Sequence, residues 1–423
     1  MFDKLRQIWK TKDLRKSIIF VLAMLVIFRI AAHIPIPGVS IENLKEFFGQ
    51  NQILGLLNIF SGGGLENFSI VMLGVGPYIT ASIIFQLLAM IIPALEEMSK
   101  EPAGQQKINQ YTRLLTLPLA ALSGYGFITL LQRQAGQLIG ELNAAQMTSA
   151  VITIMAGTCF LMWLGELISE KKIGNGISLL IFAGIIAGLP SAVQRTLAVF
   201  DSSQVFNMLL FVAIAIVTIA VIVVITEGQR NIPVNYAKRI RGNRMYGGVS
   251  THLPLRVNMA GVIPNIFAIS IILFPPMIAQ FFVGATSAWV SVASRFVINL
   301  FQNQIFYGSA YFILVFAFTY FYTYIVFHPT QIAENLQKQG GFIPGIRPGR
   351  HTSDYLQGAV NKILLAGALF LGLVAVLPIV MQPLTGMSTL VVGGTSLLIV
   401  VAVVIETVKQ IDAQLTMRDY EGL

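Results

Sequence analysis

Residues able to do acid–base, nucleophilic or metal chemistry are sparse in this chain and poorly spaced for it. The four histidines, His33, His252, His328 and His351, stand far apart in sequence. None has metal-ligand spacing with another ligand. The single cysteine, Cys159, excludes an intrachain disulfide and a thiolate cluster. Two glycine clusters, SGGG at 61–64 and KKIGNG at 171–176, invite a phosphate-loop reading. No strand pattern precedes either one and no GK[ST] follows, so neither is a phosphate loop. The acids nearest the long apolar runs, Glu166, Glu227 and Glu406, lie at the ends of those runs, and no paired carboxylates fall inside one. The sequence therefore gives no catalytic residue, no metal site and no cofactor to name. A coupled transporter or a membrane enzyme would need ionisable groups at membrane depth.

Two polar stretches carry most of the remaining chemistry. The first, EGQRNIPVNYAKRIRGNRMYGGVSTHLPLRVN (227–258), holds Arg230, Lys238, Arg239, Arg241, Arg244 and Arg256, with Glu227 as its one acid. Alternation in IPVNYAKRI and a turn signal in RGNRMYGG predict a projecting hairpin. The second, HPTQIAENLQKQGGFIPGIRPGRHTSDY (328–355), is punctuated by Gly340-Gly341, Pro344-Gly345 and Pro348-Gly349, with Arg347 and Arg350 at its tip. That punctuation predicts a shaped loop rather than a helix. Both stretches hold positive charge on one side of a membrane. Their length and turn content favour docking surfaces for a large cytoplasmic partner, RNA phosphates included.

The elements that carry these loops follow from composition. The chain has 423 residues, 55% hydrophobic and 11% charged. A soluble globular chain carries about 25% charged residues, so most of this one belongs in lipid. Ten apolar runs approach the roughly 20 residues that cross a bilayer as a helix. They lie near 17–34, 70–92, 114–131, 149–168, 177–199, 205–226, 258–281, 307–327, 359–379 and 388–408. The runs are continuous, which argues against a transmembrane β-barrel. Of the 28 Lys and Arg, only Arg29, Lys45, Arg133, Arg195 and Arg295 fall on one side; the rest sit in the N-terminus, the loops after spans 2, 4, 6 and 8, and the C-tail. The positive-inside rule then puts both termini in the cytoplasm. The start, MFDKLRQIWKTKDLRKSIIF, is a charged helix-favouring segment, surface-lying or simply a topogenic flank, and not a cleavable signal peptide.

Several long segments carry a resemblance. GVGPYITASIIFQLL, KKIGNGISLLIFAGIIAGLP, VNYAKR, STHLPLRVNMAGVIPNIFAISIILFP, GFIPGIRPG and GGTSLLIVVAVVIE occur in order along the chain. They resemble the SecY family, the channel subunits of protein translocons. The resemblance implies an all-α polytopic membrane protein with ten transmembrane helices in two inverted five-helix halves around a central hourglass pore. The segments would be an N-terminal 1–16, a first half 17–199, a second half 200–408 with cytoplasmic loops 227–257 and 328–358, and a C-tail 409–423. The halves would join near 188–204, as in other repeat-built transporters.

The resemblance also assigns roles to residues. By itself LLNIFSGGGLENFS reads as an external loop with a glycine turn. In the family this stretch is a plug that folds into the pore mouth from outside, here about 57–68: Asn58, Ile59, Phe60, Ser61, Gly62, Gly63, Gly64, Leu65, Glu66, Asn67 and Phe68. Irregular backbone at membrane depth is tolerated where protein or water surrounds it. A ring of aliphatic side chains at the waist would be Val75, Ile79, Ile177, Ile181, Ile266 and Ile399, of which Val75 is the smallest. Branched apolar side chains can gate by dewetting. Spans 2 and 7 would form a lateral gate, with Thr80, Gln86, Phe274 and Ile278 at the seam and Pro275-Pro276 breaking the helix. Arg241, Arg244, Arg347 and Arg350 would dock a partner. Implied partners are SecE and SecG small subunits, the SecA ATPase, the ribosome, signal peptides and unfolded clients, at the cytoplasmic (inner) membrane and its lipid. The implied function is passage of unfolded polypeptide, with a secondary transporter for a small solute as the rival reading.

Overall fold

The computed structural model describes residues 7–36, 63–65, 67–134, 143–198, 205–236, 239–241, 244–246, 250–283, 287–385 and 394–421. Each of the ten apolar runs overlaps a helix. These are α1 (Lys12–Ala31), α2 (Gly76–Ile91), α4 (Pro102–Gln134), α5 (Ala144–Glu170), α6 (Gly176–Ala198), α7 (Val205–Glu227), α8 (Ile263–Phe282), α10 (Gln304–Val326), α12 (Arg350–Thr385) and α13 (Gly394–Glu421). Three further helices were not expected: α3 (Pro93–Lys100), α9 (Ala288–Gln302) and α11 (Pro329–Lys338). Among the described residues, four helical stretches are long and apolar enough to cross a membrane: Ala144–Glu170, Met208–Glu227, Gln304–Lys338 and Arg350–Met381. The helices α2 and α3 pass the same test only when taken together, and they are bent by 113° at their junction. That bend has a local cause. Pro93 forces the preceding residue out of the helical region, and Ile92 is extended at φ −103°, ψ 108°.

The described residues divide into two compact units. The first spans Met1–Ser202, Pro275–Ile298 and Val403–Leu423; the second spans Ser203–Phe274 and Asn299–Ala402.

In the first unit, the ends of α4 and α5 enclose a core cluster of Phe127, Ile128, Leu131, Ala150 and Ile154 with Ile36, Leu65, Phe68 and Met72. The segment leading into α2 is therefore built into the helices. Backbone bonds secure it further: Ile36 N–H donates to Phe68 O at 2.9 Å and Ile70 N–H to Ile34 O at 3.0 Å. Helix α5 begins with a capping box, in which Asn143 and Gln146 satisfy each other's backbone. At its other end the KKIGNG motif is a tight α5–α6 turn. Gly176 N–H donates to Ser169 Oγ, which donates to Gly165 O. Asn175 Oδ1 accepts from Ile177 N and Ser178 N, capping α6.

In the second unit, β1 (Gln229–Tyr236) pairs antiparallel with β4 (Ser250–Arg256), from Gln229↔Arg256 to Asn235↔Ser250. Strand β5 (Gly341–Phe342) adds to the other edge of β1, giving the order β4-β1-β5. A two-stranded extension, β2 (Arg239–Arg241) and β3 (Arg244–Tyr246), continues the expected hairpin. Ile232, Val234, Leu255, Ile343, Leu356, Ala359 and Val360 form one core under this sheet, with Ile332 and Leu336 of α11 packed against it. The two polar stretches thus fold as a single α/β head.

One expectation needs correction here. The stretch 328–355 is not a loop throughout, since α11 and the start of α12 occupy much of it. Pro329 opens α11 at a position where its missing N–H costs nothing. The glycines and prolines that signalled a loop all lie between α11 and α12. There Gly340, Gly345 and Gly349 take φ of +73°, +79° and +94°, which glycine adopts without penalty.

Candidate functional site

The six aliphatic positions implied as a ring divide between the two units. Val75, the residue just before α2, is 3% exposed, and Ile79 donates its N–H to Val75 O at 3.0 Å. The pair lies one turn apart at i, i+4. Ile177 and Ile181 have the same spacing in the first turns of α6. Gly165 of α5 is what lets Ile177 sit where it does. A Cβ built on Gly165 would approach Ile177 Cδ1 to 2.7 Å. Gly176 abuts the Gly165 carbonyl itself, so a side chain at Gly176 would push α5 and α6 apart, whereas one at Gly165 would meet the movable end of the Ile177 side chain. In the second unit Ile266 lies half-buried at the start of α8, and Ile399 on α13 is fully buried.

The plug stretch is only partly described. Asn58, Ile59, Phe60, Ser61, Gly62 and Glu66 lie outside the described residues. What is described belongs to the anchored core. Leu65 is 4% exposed and Phe68 1%. Gly63 takes φ +80°, and Phe68 takes φ +44°, a conformation that costs an L residue about 1–2 kcal/mol. Ser69 donates its N–H to Gly64 O at 2.9 Å, and Asn67 Nδ2 reaches Ala32 O at 3.4 Å. Its described part turns at Gly63–Gly64, with Leu65 and Phe68 packed into the core.

Of the gate positions, Thr80 Oγ1 donates to Gly76 O and Gln86 Nε2 donates to Ser82 Oγ at 3.0 Å, both within α2. The Gln86–Ser82 bond engages one of the amide's two N–H groups. Ile278 on α8 is exposed, and the boundary between the units falls between Phe274 and Pro275. The helix runs through Pro275 and Pro276.

Of the docking arginines, Arg241 and Arg244 are paired in register at the β2–β3 tip. Arg347 and Arg350 are exposed, the latter as the first residue of α12. Thr352 Oγ1 donates to Arg347 O at 2.9 Å, fixing the backbone that presents the guanidinium.

Sequence reading missed two features beside these positions. Gly157 of α5 lies against the backbone of Ile70 and Val71: a Cβ there would stand 2.7 Å from the Ile70 carbonyl carbon and 3.3 Å from Val71 Cα. Asn265, next to Ile266, is 0% exposed, and neither its amide nitrogen nor its oxygen finds a hydrogen-bond partner. A lone Gly or Asn in an apolar run signals nothing locally. Among the described residues no three His, Cys, Asp or Glu side chains gather into a metal-binding group.

Known proteins are similar to this chain in sequence and in fold. A sequence model described as SecY matches residues 69–408. A protein translocase subunit SecY from Streptomyces galbus is 44% identical, covering 100% of this chain and 99% of its own. The protein translocase subunit SecY of Corynebacterium glutamicum is 45% identical over 99% and 98% of the two chains. Among solved structures, "The structure of a protein conducting channel" aligns with a TM-score of 0.63 at 19% identity, over 93% of this chain and 90% of that one. "Sec61 in the Canine ribosome-channel complex from the endoplasmic reticulum" aligns at 0.61 and 18%, over 93% and 90%. The fold is that of an all-α polytopic membrane protein, and full-length identity at this level settles the relationship: the chain belongs to the SecY family of protein translocase subunits.

Proposed function

We propose that this chain conducts unfolded secretory polypeptides across the cytoplasmic membrane and releases apolar segments sideways into lipid. The observation that carries this is full-length identity of 44–45% to protein translocase subunits. Those relatives are not solute carriers, and the sequence offers no intramembrane charge for a solute site. No catalytic step is assigned to the chain.

Two five-helix halves, 17–199 and 200–408, surround the path. Val75, Ile79, Ile177, Ile181, Ile266 and Ile399 form its waist. An ion crossing a standing leak gains about 2.3 kcal/mol per 100 mV, so the waist must be dry when idle and must part around a chain. The plug body ahead of Gly63 closes the outer mouth. Its hinge is Gly62–Gly64, and the burial of Leu65 and Phe68 supports a fixed base behind that hinge. Helices α2 and α8 form the lateral seam at Thr80, Gln86, Phe274 and Ile278. Gln86 bonded within its own helix leaves the seam weakly held, which suits opening by an apolar signal peptide.

The α/β head faces the cytoplasm with both termini. Arg241, Arg244, Arg347 and Arg350 dock the partner that supplies the driving force, the SecA ATPase or a translating ribosome. One solved relative carries Sec61 in a ribosome-channel complex, which supports the ribosome as a partner class. SecE and SecG small subunits brace the two halves.

The waist is tested by Ile399→Asn. A buried amide at this depth attracts water, so vesicles containing the variant should lose a potassium gradient faster than wild type. Vesicles that stay tight would remove Ile399 from the waist.

A further inference from the structure

Helix α9 (Ala288–Gln302) is an amphipathic segment that the conducting function does not use. It follows α8 and leads through Asn303 into α10, which is long and apolar enough to span a membrane. Its sequence, AWVSVASRFVINLFQ, contains no acidic residue. With about 3.6 residues per turn, three stripes separate. Val290, Ser294, Val297 and Phe301 share one side. Ser294 there is 6% exposed and donates its hydroxyl to Val290 O at 2.7 Å, so this side is turned into the protein. Trp289, Ala293, Phe296 and Leu300 share a second side. Trp289 is 76% exposed and Phe296 66%, with Val292 beside them at 67%. Arg295, Asn299 and Gln302 form a third, polar stripe along one edge of that open apolar side, and all three are exposed.

Both ends of the helix are held. Ser291 Oγ donates to Val283 O at 2.8 Å, tying its first turn to the residue after α8. Phe301 packs edge-on against Phe306 of α10 with ring centroids 5.4 Å apart, and Asn303 caps α10 through Ile305 N and Phe306 N. Ile305, the second residue of α10, is 83% exposed.

We propose that α9 lies in the plane of the outer membrane interface, with lipid as the occupant of its open face. Two observations choose lipid over a protein partner. The large exposed members of the open face are a tryptophan and a phenylalanine, and Trp is enriched where one end of a side chain is apolar and the other wet. Arg295 is one of the few basic residues on the side that the charge bias marks as external, and it flanks the apolar face where a long cationic side chain reaches anionic phosphate while its stem stays in apolar surroundings. A surface-lying helix of this kind buries its apolar face about 5–10 Å into the headgroup and acyl boundary. Through the Ser291–Val283 bond it fixes the depth of the part of α8 that follows Pro275-Pro276.

The chain's three tryptophans are Trp9, Trp163 and Trp289, which makes a direct test available. The variant Trp9→Phe/Trp163→Phe, in the full-length chain within its purified complex, leaves Trp289 as this chain's only tryptophan. It is reconstituted into vesicles containing lipids spin-labelled either near the carbonyl end or near the methyl end of the acyl chain. The signal is read against the same complex carrying Trp289→Phe as well. Trp289 emission should be quenched roughly two-fold or more strongly by the shallow label than by the deep one, and weakly by aqueous acrylamide, as expected at the boundary depth. Dominant quenching by acrylamide, strongest quenching by the deep label, or shielding from lipid and water alike by another subunit would each overturn the proposal. As a second arm, raising the anionic lipid fraction should blue-shift Trp289 emission with Arg295 present and should not do so with Arg295→Gln. The same shift in both would remove Arg295 as the anionic-lipid contact and overturn the argument from charge.

Discussion

Phe68→Ala is the substitution that asks most of the structure. Phe68 is 1% exposed within the cluster of Phe127, Ile128, Leu131, Ala150 and Ile154, and it holds a left-handed backbone at φ +44°. That conformation costs about 1–2 kcal/mol for any L residue. Alanine keeps the cost and discards the burial that offsets it. Removing a buried Phe side chain costs about 3–5 kcal/mol. If the segment from Leu65 to Val75 is the fixed base of the plug, much of this loss falls on the sealed state. A loss of about 3 kcal/mol lowers the ratio of sealed to unsealed channels by roughly two orders of magnitude, at about 1.4 kcal/mol per factor of ten. The assay is the decay of a valinomycin-set potassium potential in vesicles, alongside thermal unfolding of the same preparation in detergent. The variant should leak and melt earlier, and Phe68→Leu, which restores most of the apolar volume, should recover much of both. Vesicles as tight as wild type, with an unchanged melt, would refute the burial argument. A lowered melt with no added leak would refute the link between this base and the seal.

Two further outcomes follow from the same geometry. Gly157→Ala drives a Cβ into the Ile70 carbonyl, an atom that cannot give way without moving backbone; overpacking of this kind costs about 1–3 kcal/mol. It should lower the melting temperature and increase leak in the same direction as Phe68→Ala, whereas the lipid-facing change Ile152→Ala, at a position 64% exposed, should change neither. Arg347→Glu should abolish partner-driven secretion while leaving melting and vesicle tightness unchanged, because its side chain is exposed and the Thr352 bond is to its backbone; normal secretion from that variant would remove it from the docking surface.

How far the sequence could be read depended on which physical signal each feature leaves. Long apolar runs reported helices because lipid demands them, and all ten runs overlap helices. Hydropathy senses bilayer thickness and not helix length, so it missed that α4 begins at Pro102, well before the apolar run at 114. It also counted 70–75 as part of a span, since Ile70, Val71, Met72 and Leu73 are apolar; in fact they are turn residues, with Gly74 at φ +57°. Helix α11 escaped because its amphipathic segment averages to low hydropathy, and α9 because its 15 residues, interrupted by Arg295 and Asn299, are too short to register as a span. Their signal is periodicity, and in 328–355 the glycine and proline punctuation after 339 was extended to residues it does not govern. The KKIGNG cluster folds as a close α5–α6 turn, a use that needs the neighbouring Gly165, a contact that no local pattern reports. The waist residues are Ile and Val among dozens of others. Only resemblance singled them out, and only burial in the fold distinguishes Ile399 from its exposed neighbour Val404.

The most direct test of the central claim, that polypeptide passes along the aliphatic waist, is site-specific photocrosslinking to a stalled secretory chain. Probes at Ile79, Ile181 and Ile266 report on the path, and a probe at Ile216, 62% exposed on the strongly apolar helix α7, reports on lipid. Covalent adducts of the translocating chain at the first three positions and none at Ile216 are the predicted result. Adducts absent from the waist, or as frequent at Ile216 as within it, would contradict the account.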